Sequence, residues 1–183
     1  MIGNDVVDII ASRHESNWQR KGLIEKIFTA DEQSLIQNDQ QPEILLWLLW
    51  SMKEAAYKIY NRQTKIREYI PKKLVCNIIS KNNSYSTGQV ICRENVYYTK
   101  TTISQEILHT IAVTCLHDLN NIIEIENKNI IKDQNGIPYW RHSVPNILQD
   151  VSISHHGRFE RIVTINPHYK EAFISENETH DYI

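Results

Sequence analysis

Any fold of this chain must accommodate the stretch from residue 41 to 62, QPEILLWLLWSMKEAAYKIYNR. Pro42 suits a first helical position, where its missing N–H has no intrahelical partner to lose, and helical composition then runs to about Arg62. At about 100° per residue, Leu45, Leu48, Leu49, Met52, Ala56 and Ile59 fall on one side, which is a core stripe. Trp47, Trp50, Ser51, Glu54, Tyr57 and Lys58 fall on the other. Tryptophans seldom line a fully solvated face, so this second side is also expected to be covered, by another element or by a ligand.

The partner for the core stripe is expected downstream. After Pro71 the texture changes to short β-type runs, 74–79, 89–92, 96–102 and 107–116, separated by polar Asn, Ser and Gly positions, which reads as an antiparallel meander. A further short run covers 122–125. Asn135-Gly136-Ile137-Pro138 reads as a turn, and 151–154 and 161–165 flank His155-His156-Gly157-Arg158 as a hairpin. Upstream, 2–10 is rich in β-branched residues and reads as a strand that carries Asp5 and Asp8. Helical spacing follows over 17–27, weakened by Gly22. Thr29-Ala30-Asp31-Glu32 has the form of a capping box, so a second short helix starts there.

With 183 residues, 41% hydrophobic and 23% charged, the chain can close one core, and a single domain over 1–183 with a polar tail from about 175 is expected. A net charge of −2 gives no global attraction to nucleic acid, so an anionic ligand must be held by a local cluster. Cys76, Cys92 and Cys115 are widely spaced and odd in number, which argues against a disulfide framework and a zinc site. The N-terminus lacks the basic start and apolar run of a signal peptide, and no run approaches the roughly 20 apolar residues that span a bilayer. A cytoplasmic protein, with neither nucleic acid nor membrane as partner, is expected.

Three clusters could carry chemistry. Glu54 and Lys58, spaced i,i+4, read either as a surface ion pair worth roughly 0.3 to 0.5 kcal/mol or, given the tryptophans beside them, as a partly buried carboxylate that needs a cation. Lys58 or a divalent metal shared with a second carboxylate could supply it. Asp5 is a candidate second carboxylate or a turn residue binding backbone N–H groups, and Asp8 could equally be a cap. Mg²⁺ is typically held by one or two protein carboxylates plus water and phosphate oxygens. In SISHHGR, residues 152–158, two serines, two histidines and Arg158 around a glycine turn offer donors for phosphate, or are simply polar hairpin tips. Adjacent histidines on a strand point to opposite faces, which argues against zinc. Neither GxSxG nor GxxxxGK[ST] is present.

Taken in order, GNDVVDI, FTADE, WSMKEAAYK and SISHHGR resemble the motifs of the 4′-phosphopantetheinyl transferase superfamily. The resemblance spans residue 3 to about residue 158, and the SISH motif comes last, as in the holo-acyl-carrier-protein synthase type. It implies an α+β, hot-dog-like fold with an antiparallel sheet packed on the long helix. It also implies Mg²⁺-dependent transfer of phosphopantetheine from coenzyme A to a serine of an apo acyl or peptidyl carrier protein, releasing 3′,5′-ADP. Asp5 and Glu54 would hold the metal and Lys58 would neutralise charge beside it. His155 would contact a nucleotide phosphate, with Ser154, Lys53 and Arg158 as further contacts to coenzyme A. Either Glu54 or a water held by the metal would serve as base. Val7 stands where the surfactin-synthetase type has a third carboxylate, and Ala11 where the synthase type often has an arginine, with Arg13 nearby but out of register. In the trimeric relatives the motifs meet between subunits, so a homo-oligomer is one expectation. A non-catalytic protein of the same fold that binds coenzyme A or a carrier protein is the alternative, and a purely structural hot-dog-type subunit is a third reading.

Overall fold

The computed structural model describes residues 1–126, 129–142 and 147–167. The polar end from about 175, expected to fray, lies outside the described residues. The chain runs β1 (Ile2–Asp8), α1 (Ile9–Glu15), α2 (Leu23–Ile27), α3 (Ala30–Asn38) and α4 (Pro42–Thr64), followed by β2 (Val75–Lys81), β3 (Tyr85–Cys92), β4 (Asn95–Ile103) and β5 (Ile107–Val113). Then come β6 (Ile122–Glu124), β7 (Ile130–Lys132), β8 (Pro138–Arg141), β9 (Leu148–His156) and β10 (Phe159–Ile165). Two antiparallel five-stranded sheets result, ordered β1-β5-β4-β3-β2 and β6-β10-β9-β8-β7. The fold is α+β, with the long helix on the first sheet as the sequence predicts.

The core follows the period of α4. Leu45, Leu48, Leu49, Met52, Ala56 and Ile59 are buried against Val90, Cys92, Tyr97, Leu108 and Ala112 of the sheet. Fully burying each Leu, Ile or Met side chain among these is worth about 1.5–3 kcal/mol, which anchors the helix. Its other side is covered as well, since Trp18, Leu23 and Ile24 join Trp47 and Trp50 at the edge of this core. A smaller cluster of Ile2, Val113, Val163 and Ile165 joins the second sheet to the outer face of β1 and β5.

Some boundaries differ from the sequence reading for local reasons. The strand expected over 2–10 stops at Asp8, whose carboxylate accepts from the N–H groups of Ile10 and Ala11 at 3.0 Å and so caps α1. Ile9 and Ile10 are β-branched and look like more strand, but the cap overrides that propensity. The helix expected over 17–27 is reduced to α2, because Gly22 sits at φ +84° and interrupts it. The capping box forms as expected, with Glu32 N–H donating to Thr29 at 3.3 Å and Thr29 N–H donating to Glu32 at 2.8 Å. Ser51, placed with the outward side by period alone, is fully buried. The Asn135-Gly136 turn, with φ +76° at Gly136, joins two strands too short for their period to show in sequence, β7 and β8.

Candidate functional site

The site begins with a close approach. Gly3, Asp5 and Val7 alternate onto the face of β1 that meets α4. A Cβ on Gly3 would lie 2.0 Å from the Ala55 carbonyl oxygen, so only glycine lets the helix come this near. Two residues further along the same face, Asp5 lies under the polar stripe of α4. Ser51 donates to the Asp5 carbonyl at 3.4 Å, and the Lys58 ammonium stands 3.9 Å from Asp5 Oδ1. That ammonium also donates to the carbonyls of Asn4 at 2.6 Å and Ile153 at 3.0 Å. Lys58 therefore pins β1, α4 and β9 to one point.

The other edge of β1 is closed by side chains. Its N–H groups at Asn4, Val6 and Asp8 would be unpaired there, and Ser152, Ser154 and His156 accept from them at 2.8, 2.8 and 2.9 Å. Both sets step by two because both segments are extended. The alternate residues of SISHH are thus a side-chain ladder, and leaving those donors unmade would cost about 1–3 kcal/mol each. Ser154 turns its own proton to Asp5 Oδ1 at 3.2 Å. His156 Nε2 lies 3.3 Å from Glu15, which orients the ring. Sequence reading treated the two serines and two histidines as one set of phosphate donors. The pleat divides them: Ser152, Ser154 and His156 turn to β1, while His155 and Ile153 line the cleft described below, which Ser152 also borders.

The charges at the centre do not balance. Burial pushes Asp5 above the usual carboxylate range, opposed by Lys58 and by hydrogen bonds from Ser51 and Ser154. Burial and then repulsion from Asp5 push Glu54 up to about 7, with Lys58 opposing. Lys58 is itself lowered by burial, against the pull of Asp5 and Glu54. Two dehydrated carboxylates sharing one ammonium favour a further cation. Among the described residues, no group of three or more His, Cys, Asp or Glu side chains could hold a metal ion. The oxygen-only pair suits a hard cation such as Mg²⁺, which keeps water and phosphate for its remaining positions, and does not suit zinc.

Two clefts flank this centre. One, of about 390 Å³, is lined by Lys58, Arg62, Lys132, Ile137, Pro138 and His155. The other, of about 310 Å³, is bordered by Glu54 with Tyr57, Tyr69, Ile70 and Leu74. The β7–β8 hairpin forms a wall of the first cleft. Arg62 holds it by donating to the Pro138 carbonyl at 2.9 Å, Lys65 pairs with Asp133 at 3.2 Å, and Arg67 donates to the Asn135 carbonyl at 2.6 Å.

The structure gathers Asp5, Glu54, Lys58 and Ser154, and sets His155 in the cleft that Lys58 also lines. Lys53 and Arg158, read from sequence as contacts for coenzyme A, have their charged ends committed to other carboxylates, although Lys53 borders the second cleft. Lys53 is 1% exposed and donates to both Glu32 oxygens at 2.8 Å, to the Pro71 carbonyl at 3.0 Å and to the Leu74 carbonyl. These acceptors use all its donors, so it is a core ion pair that joins the FTADE segment to α4. Arg158 donates to both oxygens of Asp8 at 2.8 and 3.1 Å, and lines neither cleft. Sequence reading missed Ser51, the division of labour within SISHH, and Lys132. It also missed His109, a half-buried ring 3.3 Å from the Asn4 side chain whose pKa is lowered to about 4, chiefly by desolvation.

A glycine–aspartate strand meeting a lysine–glutamate helix, on an α+β unit, defines a class in which paired carboxylates and a lysine face a ligand cleft. The family model for the 4′-phosphopantetheinyl transferase superfamily matches residues 1–114, and the chain belongs to that superfamily. It is therefore a transferase of the phosphopantetheinyl class. The match covers β1 to β5 with α4, while SISHH lies beyond it. No match was found among curated proteins. No helix among the described residues is long and apolar enough to cross a membrane.

Proposed function

We propose that this chain is a single catalytic domain of the holo-acyl-carrier-protein synthase type. It moves 4′-phosphopantetheine from coenzyme A to a serine hydroxyl of an apo acyl or peptidyl carrier protein. The observation that carries this reading is the charge-poor pair Asp5–Glu54 at the junction of a basic cleft and a largely apolar one. Coenzyme A has the same layout, with a polyanionic nucleotide at one end, an uncharged arm at the other and a diphosphate between.

Asp5 and Glu54 would hold Mg²⁺, which when bound supplies positive charge to the diphosphate oxygens. Lys58, anchored by two carbonyls, presents its remaining hydrogen to the same oxygens and costs no reorganisation as charge develops. His155 faces the nucleotide end, and Ser154 keeps Asp5 oriented. The carrier serine Oγ forms a bond to the phosphorus bearing the pantetheine while the bond from that phosphorus to the bridging oxygen breaks, and 3′,5′-ADP leaves with the bonding pair. The serine proton passes to a base at this centre, either Glu54 itself or a water ordered beside Asp5. The cytoplasm supplies both substrates and suits the free Cys76, Cys92 and Cys115.

The test is intact-mass spectrometry of apo carrier proteins incubated with the chain, coenzyme A and Mg²⁺. A gain of one phosphopantetheine, abolished by EDTA, is the expected result. Coenzyme A binding without transfer to any carrier would move the chain to the non-catalytic reading.

A further inference from the structure

The ladder that joins the two sheets does not by itself fix its own register. Ser152, Ser154 and His156 of β9 meet Asn4, Val6 and Asp8 of β1, and both sets rise together along the chain. The strands therefore run side by side in one direction, joined by side chains in place of backbone bonds. A shift of β9 by two residues would keep every side chain on its face and bring Asp150, Ser152 and Ser154 to the same three N–H groups. Each of these could accept a hydrogen bond equally well. The site is not so tolerant. Only the observed register puts the Ser154 hydroxyl 3.2 Å from Asp5 Oδ1 and the Ile153 carbonyl 3.0 Å from the Lys58 ammonium.

One end of β9 is held from α4, where Arg62 donates to Asp150 at 2.9 Å and to the Val151 carbonyl at 2.7 Å. The SISHH end is held by Asp8. That residue is fully buried, and Arg158 reaches it three times, through its backbone N–H at 3.1 Å, its Nε at 2.8 Å and its Nη2 at 3.1 Å. Gly157 permits the approach, since a Cβ there would lie 2.6 Å from Asp8 Oδ2 and 2.7 Å from the Ala11 Cβ. Asp8 Oδ1 also accepts from Ile10 and Ala11, so one carboxylate ties the β9–β10 turn to the first turn of α1. The planar fork of a guanidinium fits both oxygens of a carboxylate in one orientation, which makes the contact specific in geometry as well as strong. A β9 shifted by two residues would lose it.

Given the transfer reaction proposed above, on which this rests, we propose that Arg158, clamped on Asp8, is a positioning residue that locks β9 in the register that delivers Ser154 to Asp5 and the Ile153 carbonyl to Lys58. Arg158 lines neither cleft, so it acts through the strand that it anchors. Asp8 lies within residues 1–114 and Arg158 beyond them, so the lock joins the part of the chain that the family model matches to the part that it does not.

A double-mutant cycle in the full chain tests this, with kcat for transfer from coenzyme A to an apo carrier protein read by intact mass. Removing one charge-assisted contact corresponds to roughly a tenfold change. Arg158→Ala and Ser154→Ala should each lower kcat by about that factor, and the double variant should fall well short of the roughly hundredfold loss that independent effects would give. Arg158→Lys, which keeps a cation beside Asp8, should recover most of the rate. Asp8 keeps the N–H groups of Ile10 and Ala11 in every variant, so the cap of α1 is left in place. Register is read separately by nuclear Overhauser contacts. The contact from the Val6 N–H to the Ser154 β-protons should fade in Arg158→Ala and persist in Arg158→Lys. Fully multiplicative losses, wild-type kcat in Arg158→Ala, or an unchanged Val6–Ser154 contact in that variant would overturn the lock while leaving the transferase reading in place. A wild-type chain that transfers to no carrier would remove that reading and the positioning role with it.

Discussion

Asp5 and Glu54 show how a site is set against stability. The native Glu54 carboxyl is pushed up to about 7 from an ordinary 4.5. Between those values the folded chain keeps a proton that the unfolded chain has released, so stability is full below about pH 4.5 and falls as pH rises toward 7. The loss is on the order of 2 kcal/mol for a partly buried group, and Asp5 shifts in the same direction. Asp8 is opposite in sign. Arg158 holds its carboxyl well below the usual range, so its contribution is lost only in acid. His109, which burial lowers to about 4, opposes the Glu54 slope between about pH 4 and 6.5. In thermal melts in EDTA the Glu54 contribution is therefore read as the Tm difference between Glu54→Gln and wild type, which should favour the variant more at pH 8 than at pH 5. Glu54→Gln should also abolish transfer, and Mg²⁺ should raise the Tm of the wild type more at pH 8 than at pH 5. Identical pH slopes for wild type and variant would show that Glu54 is not the strained group. Asp5, Glu54 and Lys58 were legible in sequence because each sits in a motif. The motif position of Lys53 does not reveal its partner. It lies about 140° round the helix from Lys58, and that rotation turns its ammonium from the Lys58 cleft to Glu32 in the core, at the border of the second cleft.

At the scale of elements, β1 is held on both sides by devices with different physics. Against α4 the device is absence of a side chain. Gly3→Ala would place a Cβ 2.0 Å from the Ala55 carbonyl oxygen, a backbone atom that cannot step aside. Chemical denaturation should show a loss of about 3 kcal/mol or more, with transfer falling as α4 is pushed off Asp5. A variant of wild-type stability would mean that the helix does not approach so closely. Against β9 the device is the hydroxyl ladder. Ser152→Ala should leave the Asn4 N–H buried and unpaired, at about 1–3 kcal/mol. Hydrogen exchange should then quicken at Asn4 more than at Gly3, which bonds to β5. Equal protection at both amides would count against the ladder. The helical elements were mostly legible, since α3 has its capping box and α4 its period. β7 and β8, at three and four residues, are shorter than any period can reveal.

For the whole molecule, the consequence of the two-sheet arrangement is that a single chain brings the candidate site residues together. β1 and α4 supply Asp5, Glu54 and Lys58 to the first sheet, and β9 brings Ser154 and His155 across from the second. Transfer per chain should accordingly stay constant on dilution through the range where light scattering reports a monomer. Activity that declines with dilution would show that a second copy completes the site. The sequence by itself determined the motifs and the elements that carry most of them. Glycine, capping residues and hydrophobic period act over one to four neighbours, so their signals survive in a one-dimensional string. Only the tertiary structure decided which lysine meets a carboxylate in the core and which meets one at the cleft, and how the residues of SISHH divide between ladder and site. It also decided that Lys132 shares a cleft with His155. Those outcomes depend on contacts between segments far apart in the chain, 21 residues for Lys53 with Glu32, 54 for Lys58 with Asn4 and 149 for Ser154 with Asp5. They are set by how the sheets and the helix pack, which no local pattern encodes.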